Sequence, residues 1–285
     1  MNTLIETRKI MKKFNIVANK RYGQNFLIDD NILEEIVNSA DITKDDLVIE
    51  IGPGLGNLTE YILSRAKYAI LVEIDSKMIK VLEDRFKDRK NYILINDDIL
   101  KVNIDKLVEE IKSKNDLSFR SVKVVANLPY YITTPIIFKL LEDENSISDI
   151  TVMVQKEVAQ RMVAKPKSKD FGILTLMVDY FSNANIIVLV PNSSFIPEPG
   201  VMSAVINLKK NRKYSVKNEK MFFELIHKAF AQRRKKMINS LSSTNFNNMT
   251  KQELEDLFKR CNLDFNTRAE ELTIEEFIEL VNNIN

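Results

Sequence analysis

The stretch Leu47-Val48-Ile49-Glu50-Ile51-Gly52-Pro53-Gly54-Leu55-Gly56-Asn57 decides the fold of this chain of 285 residues. An apolar strand pattern runs directly into a turn with three glycines, and a helical pattern follows. Glycines at such a turn let the backbone bend sharply and approach a ligand closely. A dinucleotide-binding turn would place its third glycine at position 57, where this chain has Asn. The spacing therefore favours S-adenosylmethionine (SAM) over a nicotinamide cofactor.

Short β-rich runs alternate with helical patterns around and beyond this turn, which is typical of a parallel sheet covered by helices. The expected strands are 46–51, 69–74, 91–96, 121–126, 149–154, 185–190 and 202–208. The expected helices are about 31–39, 57–66, 76–87, 103–113, 134–142 and 156–163. The predicted fold class is α/β, with a doubly wound, seven-stranded, Rossmann-like sheet of the SAM-dependent methyltransferase kind and a small all-helical C-terminal domain.

The β signal ends after Leu208, and a polar linker follows at 209–214. Apolar residues then recur at helical spacing: Met221, Phe222, Leu225, Ile226, Ala229 and Phe230, then Leu254, Leu257 and Phe258, and finally Ile274, Phe277, Ile278 and Val281. The sequence therefore predicts two domains. Residues 1–208 form the SAM-binding methyltransferase domain with a basic N-terminal arm, and residues 209–285 form a helical RNA-binding domain.

The formal net charge of +2 hides an uneven distribution. Residues 1–21 carry a net charge of +5 and residues 209–240 carry +9, while residues 22–208 carry −7 and residues 250–285 carry −5. Concentrated Lys and Arg residues are expected of a surface that binds a polyanion such as nucleic acid. The run Arg233-Arg234-Lys235-Lys236 is the candidate RNA-binding cluster, and its alternative interpretation is a solvated helix end.

The rest of the composition excludes several classes of chemistry. A single cysteine, Cys261, cannot form an internal disulfide, and with the single His227 it makes neither a Cys/His metal site nor a histidine-centred triad. We therefore predict no metal. No apolar stretch approaches the roughly 18 residues of a membrane span, and the first 20 residues do not resemble a signal peptide. A cytoplasmic protein, acting as a monomer, is expected.

Acidic residues stand where the next two predicted strands end. Glu73 lies 21 residues beyond Gly52, where a carboxylate accepts both ribose hydroxyls of a nucleoside cofactor. The third strand ends at Asp97-Asp98, and a carboxylate at this edge of the sheet can accept the adenine amino group. An ordinary helix N-cap is the alternative for this pair.

The fourth strand leads into Asn127-Leu128-Pro129-Tyr130, the candidate catalytic turn. Methylating an exocyclic amine requires that the nitrogen be held and oriented, not deprotonated by a strong base. The Asn127 amide oxygen and the Leu128 carbonyl can each accept one N–H and direct the lone pair at a methyl donor. Tyr130 can stack on a flipped base, and Phe195 can close its opposite face. Taken alone, Phe195 is equally typical of a core residue.

Together these motifs resemble the ribosomal RNA adenine dimethyltransferase family, specifically its bacterial small-subunit branch, over about residues 19–283. The resemblance is carried by Arg21-Tyr22-Gly23-Gln24-Asn25-Phe26-Leu27, Glu50 to Gly56, Asn127 to Ile132 with Thr134-Pro135, Val152 to Val158, Ser168 to Gly172, Gln232 to Lys235 and Arg268 to Leu272. One departure lies at Gly200-Val201-Met202-Ser203, where the family usually has Lys-Val-Asp-Ser. Both charges are lost, which affects a local RNA contact or the loop geometry.

The resemblance implies SAM-dependent transfer of two methyl groups to N6 of each of two adjacent adenines in the 3′-terminal hairpin loop of small-subunit rRNA. The implied partner is an assembling small ribosomal subunit. Carried over by motif position, the segment from Gln24 to Leu27 folds over the cofactor, and the adenine is held by Tyr130 and Phe195. The cofactor-site residues are Gln24, Asn25, Leu27, Gly52, Gly54, Glu73, Asp98 and Asn127.

Three other functions remain as alternatives. A large-subunit rRNA adenine methyltransferase of the antibiotic-resistance type shares the catalytic motifs, but the 268–272 motif and the basic cluster favour the small-subunit branch. A non-catalytic nucleic-acid-binding scaffold is disfavoured by the intact Asn127 turn and the acidic strand ends. A nicotinamide-dependent dehydrogenase is disfavoured by the glycine spacing.

Overall fold

The computed structural model describes residues 2–19, 22–232 and 235–284. It divides into two compact units, the first made of residues 1–159 and 183–210 and the second of residues 160–182 and 211–285. None of the helices in these described ranges is long and apolar enough to cross a membrane.

A seven-stranded sheet forms the centre of the first unit. The strands of the described chain are β1 Phe26–Leu27, β2 Asp46–Ile51, β3 Tyr68–Glu73, β4 Tyr92–Asn96, β5 Ser121–Asn127, β6 Ile147–Gln155, β7 Ser182–Val190, β8 Phe195–Ile196 and β9 Ser203–Lys210. The order in the sheet is β4-β3-β2-β5-β6-β9-β7. Strands β2 to β6 pair in parallel, and β9 runs antiparallel to β6. The predicted α/β class and all seven predicted sheet strands are confirmed.

The apolar character of the central strands follows from their position. Every residue of β2 is buried, as expected of a parallel strand covered on both faces. The chain proceeds from β2 outward to β3 and β4 and then returns to β5 on the other side of β2. Such a reversal leaves a crevice at the carboxyl ends of the two central strands, which is where open α/β sheets bind ligands. The glycine turn follows β2, and Asn127 ends β5.

Six helices belong wholly to the first unit, as far as the chain is described, and a seventh crosses its boundary. They are α1 Thr3–Lys13, α2 Asp30–Ser39, α3 Asn57–Arg65, α4 Ser76–Arg85, α5 Ile104–Asn115, α6 Thr133–Glu142 and α7 Lys156–Met162. Asp29, Asp75 and Asn103 cap α2, α4 and α5 by accepting backbone N–H bonds in the first turn. All six helices predicted between the strands are present.

Helix α1 is an element that the sequence analysis described only as a basic arm. Its buried face consists of Thr3, Thr7 and Ile10, and its exposed face carries Arg8 and Lys9 among other basic residues. Ile10 packs in an apolar cluster with Phe26, Leu55, Met78 and Val81. The arm is therefore a helix that is part of the first unit.

The second unit is helical, with α8 Ile173–Phe181, α9 Glu219–Phe230, α10 Met237–Ser243, α11 Lys251–Arg260 and α12 Ile274–Asn282. The periodicities at 221–230, 254–258 and 274–281 correspond to α9, α11 and α12. Residues 160–182 group with this unit, whereas the sequence-based division placed them before residue 208 in the first domain. The physical reason is aromatic packing, because Tyr180 of α8 lies 4.9 Å from Phe222 and 5.4 Å from Phe223 of α9, between ring centroids.

Candidate functional site

A cleft opens at the carboxyl ends of β2, β3 and β5. Its empty volume, including the space open to solvent at its mouth, is about 780 Å³. The predicted site residues that line it are Gln24, Asn25, Leu27, Gly52, Gly54, Glu73, Asn127 and Leu128. The structure therefore brings together the glycine turn, one acidic strand end, the candidate catalytic turn and the segment 22–27, which we call the cover segment.

Two glycines of the turn are needed for different local reasons. Gly52 adopts a φ of +67°, and a Cβ built there would meet no atom within 4 Å, so its backbone faces open space in the cleft. Gly56 adopts a φ of +82°, and a Cβ there would lie 2.6 Å from a ring carbon of Phe86. The first glycine thus leaves room beside the cleft, and the last allows close packing at the start of α3.

Glu73 ends β3 with its carboxylate turned toward the glycine turn. One oxygen accepts the Gly54 N–H at 2.9 Å, and the other accepts the Asp75 N–H at 2.8 Å. Burial raises the pKa of Glu73, while these backbone hydrogen bonds favour its charged form. Since an ionised carboxylate offers about four acceptor sites, Glu73 retains capacity for ligand hydroxyls.

Glu50, at the end of β2, is a second acidic residue in the cleft lining and was not selected from the sequence. It is 1% exposed, and its Oε2 accepts a hydrogen bond from the Thr59 hydroxyl at 2.6 Å. Burial raises its pKa to about 8, and the nearby charge of Glu73 acts in the same direction. Its position immediately before Ile51-Gly52 was the available signal, but the sequence could not show that the side chain faces the cleft.

The cover segment is held by its own polar side chains. Gln24 donates from Nε2 to Asp75 Oδ2 at 2.9 Å and accepts the Asn19 N–H at 2.8 Å. Asn25 donates to the Gly23 carbonyl at 3.1 Å. Strand β1, at the end of the segment, pairs antiparallel with β8. Gln24 and Asn25 thus fix the segment beside the cleft.

In the side-chain amide of Asn127 the nitrogen is hydrogen-bonded and the oxygen is available. Nδ2 donates to the Asn25 carbonyl at 3.1 Å, whereas Oδ1 accepts no hydrogen bond from any residue in the described ranges. The Leu128 N–H donates to the Met153 carbonyl at 3.0 Å, which fixes the turn after β5. The hydrogen bond to Asn25 orients the amide so that its oxygen is left to accept a hydrogen bond within the cleft.

Three predicted residues are not among those that line the cleft: Asp98, Tyr130 and Phe195. Asp98 follows β4 at the same edge of the sheet, and its Oδ1 accepts the Leu100 N–H at 3.0 Å, which is the local turn role that the sequence left open. Tyr130 is half-buried, hydrogen-bonded through its hydroxyl to Ser203, and its pKa is raised by burial. Phe195 is 1% exposed within the hydrophobic core, so its ring reaches a base only after the 195–196 segment is displaced.

Other aromatic side chains line the cleft instead, namely those of Tyr22, Phe26 and Tyr131. Tyr131 is 59% exposed, and its ring lies against Gly23, where an added Cβ would be 3.4 Å away. The doublet Tyr130-Tyr131 gave no sequence signal to distinguish the two rings, because both follow the same turn.

The basic cluster belongs to the second unit. Arg233 and Arg234 lie outside the described residues. Lys235 and Lys236 are exposed, and Lys236 is hydrogen-bonded to Asn266. Within the ranges that the structure describes, no group of three or more His, Cys, Asp or Glu side chains is arranged to hold a metal ion.

Comparison with known proteins gives the family. The model of the family described as "Ribosomal RNA adenine dimethylase" matches residues 15–285. A protein of Clostridioides difficile (strain 630) named "Ribosomal RNA small subunit methyltransferase A" is 46% identical over 281 residues, which cover 98% of this chain and 95% of that protein. A protein of the same name from Alkaliphilus oremlandii is 44% identical over 281 residues, covering 98% and 96%.

Solved structures agree with the fold. A dimethyladenosine transferase from Plasmodium falciparum matches with a TM-score of 0.74 at 27% identity, covering 90% of this chain and 95% of that one. The 23S rRNA methyltransferase ErmE shares the fold, with a TM-score of 0.65 at 22% identity over 90% of this chain and 98% of that one. From the family match over residues 15–285 and the relatives that cover nearly the whole chain, we conclude that this chain belongs to the ribosomal RNA adenine dimethylase family.

Proposed function

We propose that this chain transfers methyl groups from SAM to N6 of two adjacent adenines in the 3′-terminal hairpin loop of small-subunit rRNA, two groups to each adenine. The observation that carries the proposal is the cleft itself, in which the glycine turn, Glu73 and the available Asn127 oxygen meet. Relatives named small subunit methyltransferase A, about 45% identical over nearly the whole chain, support the choice of substrate.

The charge of the cleft supports SAM as the donor. Glu50 and Glu73 line it, and no Lys or Arg of the described chain does. A sulfonium cofactor is cationic, so the charged form of Glu73, which two backbone N–H groups stabilise, favours it, whereas a dinucleotide pyrophosphate requires positive or N–H-rich surroundings. The open space beside Gly52 allows a ligand to approach the backbone. We assign the ribose hydroxyls to Glu73 and the adenine amino group to Asp98.

When bound, SAM would supply an electrophilic methyl group, whose carbon bonds to the amine nitrogen as the carbon–sulfur bond breaks and the sulfur leaves as a neutral thioether. The chain's own contribution is positioning. In the first transfer the Asn127 Oδ1 and the Leu128 carbonyl each accept one N–H of the target amine, and in the second the one remaining N–H donates to either of them, which holds the nitrogen with its lone pair toward the donor. The methylated amine then loses its proton to solvent. No strong base is needed.

Binding of the target base involves the aromatic residues. We keep Tyr130 and Phe195 as the residues that hold the flipped adenine, with a displacement of the 195–196 segment on binding. The RNA duplex is assigned to the basic cluster Arg233 to Lys236. The partner is then an assembling small ribosomal subunit, met by a monomer in the cytoplasm.

The test is labelling with tritiated SAM. Small subunits and large subunits are purified from a strain that lacks this methylation, incubated with the protein, and the labelled nucleotides are mapped. We expect label on N6 of two adjacent adenines near the 3′ end of the small-subunit rRNA. Label in large-subunit rRNA would instead indicate the antibiotic-resistance type of activity, and RNA binding without label would indicate a scaffold.

A further inference from the structure

The side chain of Asn57 joins three elements around the cleft. Asn57 is the first residue of α3 and is 6% exposed. Its Nδ2 donates to the Thr7 hydroxyl of α1 at 2.8 Å and to the Leu27 carbonyl at 2.8 Å. Its Oδ1 accepts from Nη1 of Arg85 at the end of α4, at 3.0 Å. This is the position at which a dinucleotide fold would have its third glycine, and here a side chain occupies it instead.

The network reaches the cleft at Asn57 itself and at Leu27, both of which line it. Leu27 is the last residue of the cover segment and pairs with Phe195 in a two-stranded ladder. Each strand of this ladder has only two residues, so few backbone hydrogen bonds hold the segment in place. The Asn57 amide adds a buried side-chain hydrogen bond to this attachment, beside the Gln24–Asp75 and Asn127–Asn25 bonds.

Helix α1 packs against residues that line the cleft. Thr7 is fully buried, and Ile10 packs with Phe26 and Leu55, both of which line the cleft. No residue of α1 itself lines the cleft. Helix α1 therefore contacts residues that line the cleft, through hydrogen bonds and apolar packing, but not the cleft itself.

The hydrogen bonds of Asn57 form a closed set. Both Nδ2 hydrogens and Oδ1 have partners, and Arg85 also donates to the Leu55 carbonyl at 2.7 Å. A buried donor that loses its acceptor must find another partner or remain unsatisfied, which is costly. Loss of the Thr7 hydroxyl would leave one Asn57 Nδ2 hydrogen without its acceptor and remove one of the bonds that hold the amide against the Leu27 carbonyl.

We propose that Asn57 is a positioning residue for the cofactor: it connects α1 to Leu27, so that α1 fixes the cover segment over the cleft and raises the affinity for SAM. The inference rests on the proposed function in taking SAM as the ligand. It assigns to the N-terminal helix a role in cofactor binding, in addition to its place in the fold.

The experiment compares three variants of the full chain. Thr7→Val removes the hydroxyl at nearly constant volume, whereas Thr7→Ser keeps the hydroxyl and removes only the methyl group. Thr3→Val is the matched control, because Thr3 is a buried α1 threonine whose hydroxyl bonds Asp30, away from the cleft. The dissociation constant for SAM is measured by calorimetry, and amide hydrogen exchange of residues 22–28 is followed without SAM.

We expect Thr7→Val to raise the dissociation constant for SAM by about 2- to 30-fold and to accelerate exchange in the cover segment. Thr7→Ser and Thr3→Val should give values close to those of the unchanged chain in both measurements, below the range expected for coupled residues. In steady-state kinetics, the KM for SAM should rise by a larger factor than kcat falls.

Two results would overturn the proposal. One is an unchanged affinity and unchanged exchange in Thr7→Val. The other is an equal effect of Thr3→Val, which would mean that only the stability of α1 matters. If the unchanged chain bound no SAM, the proposed function would fail, whereas the exchange measurement would still show whether Thr7 and Asn57 hold the cover segment.

Discussion

The residues predicted for the site differ in which of their atoms are already bonded or buried within the protein. The amide oxygen of Asn127 is available, whereas Tyr130 is bonded to Ser203 and Phe195 is enclosed in the core. The sequence predicted Asn127 and Glu73 because the ends of parallel strands converge at one edge of a sheet. It could not predict the exposure of the aromatic rings, since that depends on contacts between segments distant in the chain.

Asn127→Ala tests the role of the amide oxygen. We expect kcat for methyl transfer to fall by at least about 10²- to 10³-fold, as for loss of one group that positions or stabilises the reacting centre. RNA binding, measured by filter retention, should remain. Asn96→Ala is the matched control, because Asn96 ends the edge strand β4, donates to the Glu73 backbone carbonyl and does not line the cleft. Near-normal turnover of Asn127→Ala would remove Asn127 from the mechanism.

Glu50→Gln tests the buried carboxyl group. Burial raises its pKa from 4.5 to about 8, so between these values the folded state binds more protons than the unfolded state. The free energy of unfolding of the ligand-free protein therefore decreases as pH rises through this window. A glutamine keeps an acceptor for Thr59 and does not ionise.

The prediction concerns the difference between the two proteins in thermal unfolding. The Tm of Glu50→Gln should be close to that of the unchanged chain near pH 4.5 and should exceed it at pH 8.5. Parallel profiles across this range would show that Glu50 ionises with its ordinary pKa.

Secondary structure elements were predicted well where they are long and regularly patterned. The seven sheet strands and the six helices α2 to α7 were recognised because continuous apolar runs and helical periods alternate. Helix α1 was missed because its buried face is narrow and includes two threonines, Thr3 and Thr7. Helix α8 was missed because seven of its nine residues are buried, and an all-apolar run lacks a helical period. Strands β1 and β8 are too short to show any pattern.

Phe222→Ala tests whether α8 folds with the helical unit. Phe222 is fully buried against Tyr180 of α8, so its truncation should cost about 3–5 kcal/mol. In native-state hydrogen exchange, the amides of α8 and α9 should lose protection together, while those of β2 and β5 keep theirs. Phe86→Ala, which opens a cavity beside Gly56, should give the reverse pattern. Loss of protection in β2 together with α8 would contradict the division at residues 160–182.

Charge is organised on the scale of the whole chain. The formal net charge is +2, yet residues 1–21 and 209–240 together hold a large positive excess. In the first of these segments, Arg8, Lys9 and Lys12 are exposed on α1. In the second, Lys235 and Lys236 are exposed. These segments flank a long acidic segment in the sequence, so a polyanion is expected to bind a limited part of the surface.

Replacement of Arg233, Arg234, Lys235 and Lys236 by Gln tests this expectation for the cluster. Each cation that meets a phosphate releases counterions, so a plot of log K for rRNA against log salt concentration should become less steep by about 3 if all four residues make such contacts. The dissociation constant for SAM should not change, because Lys235 and Lys236 do not line the cleft.

The matched control replaces Lys77, Lys80, Lys87 and Lys90, four exposed lysines of the acidic segment, by Gln. It removes the same charge and, if binding is local, alters the slope far less. Equal slopes for the two variants would mean that overall charge attracts the RNA and that the cluster is a solvated face.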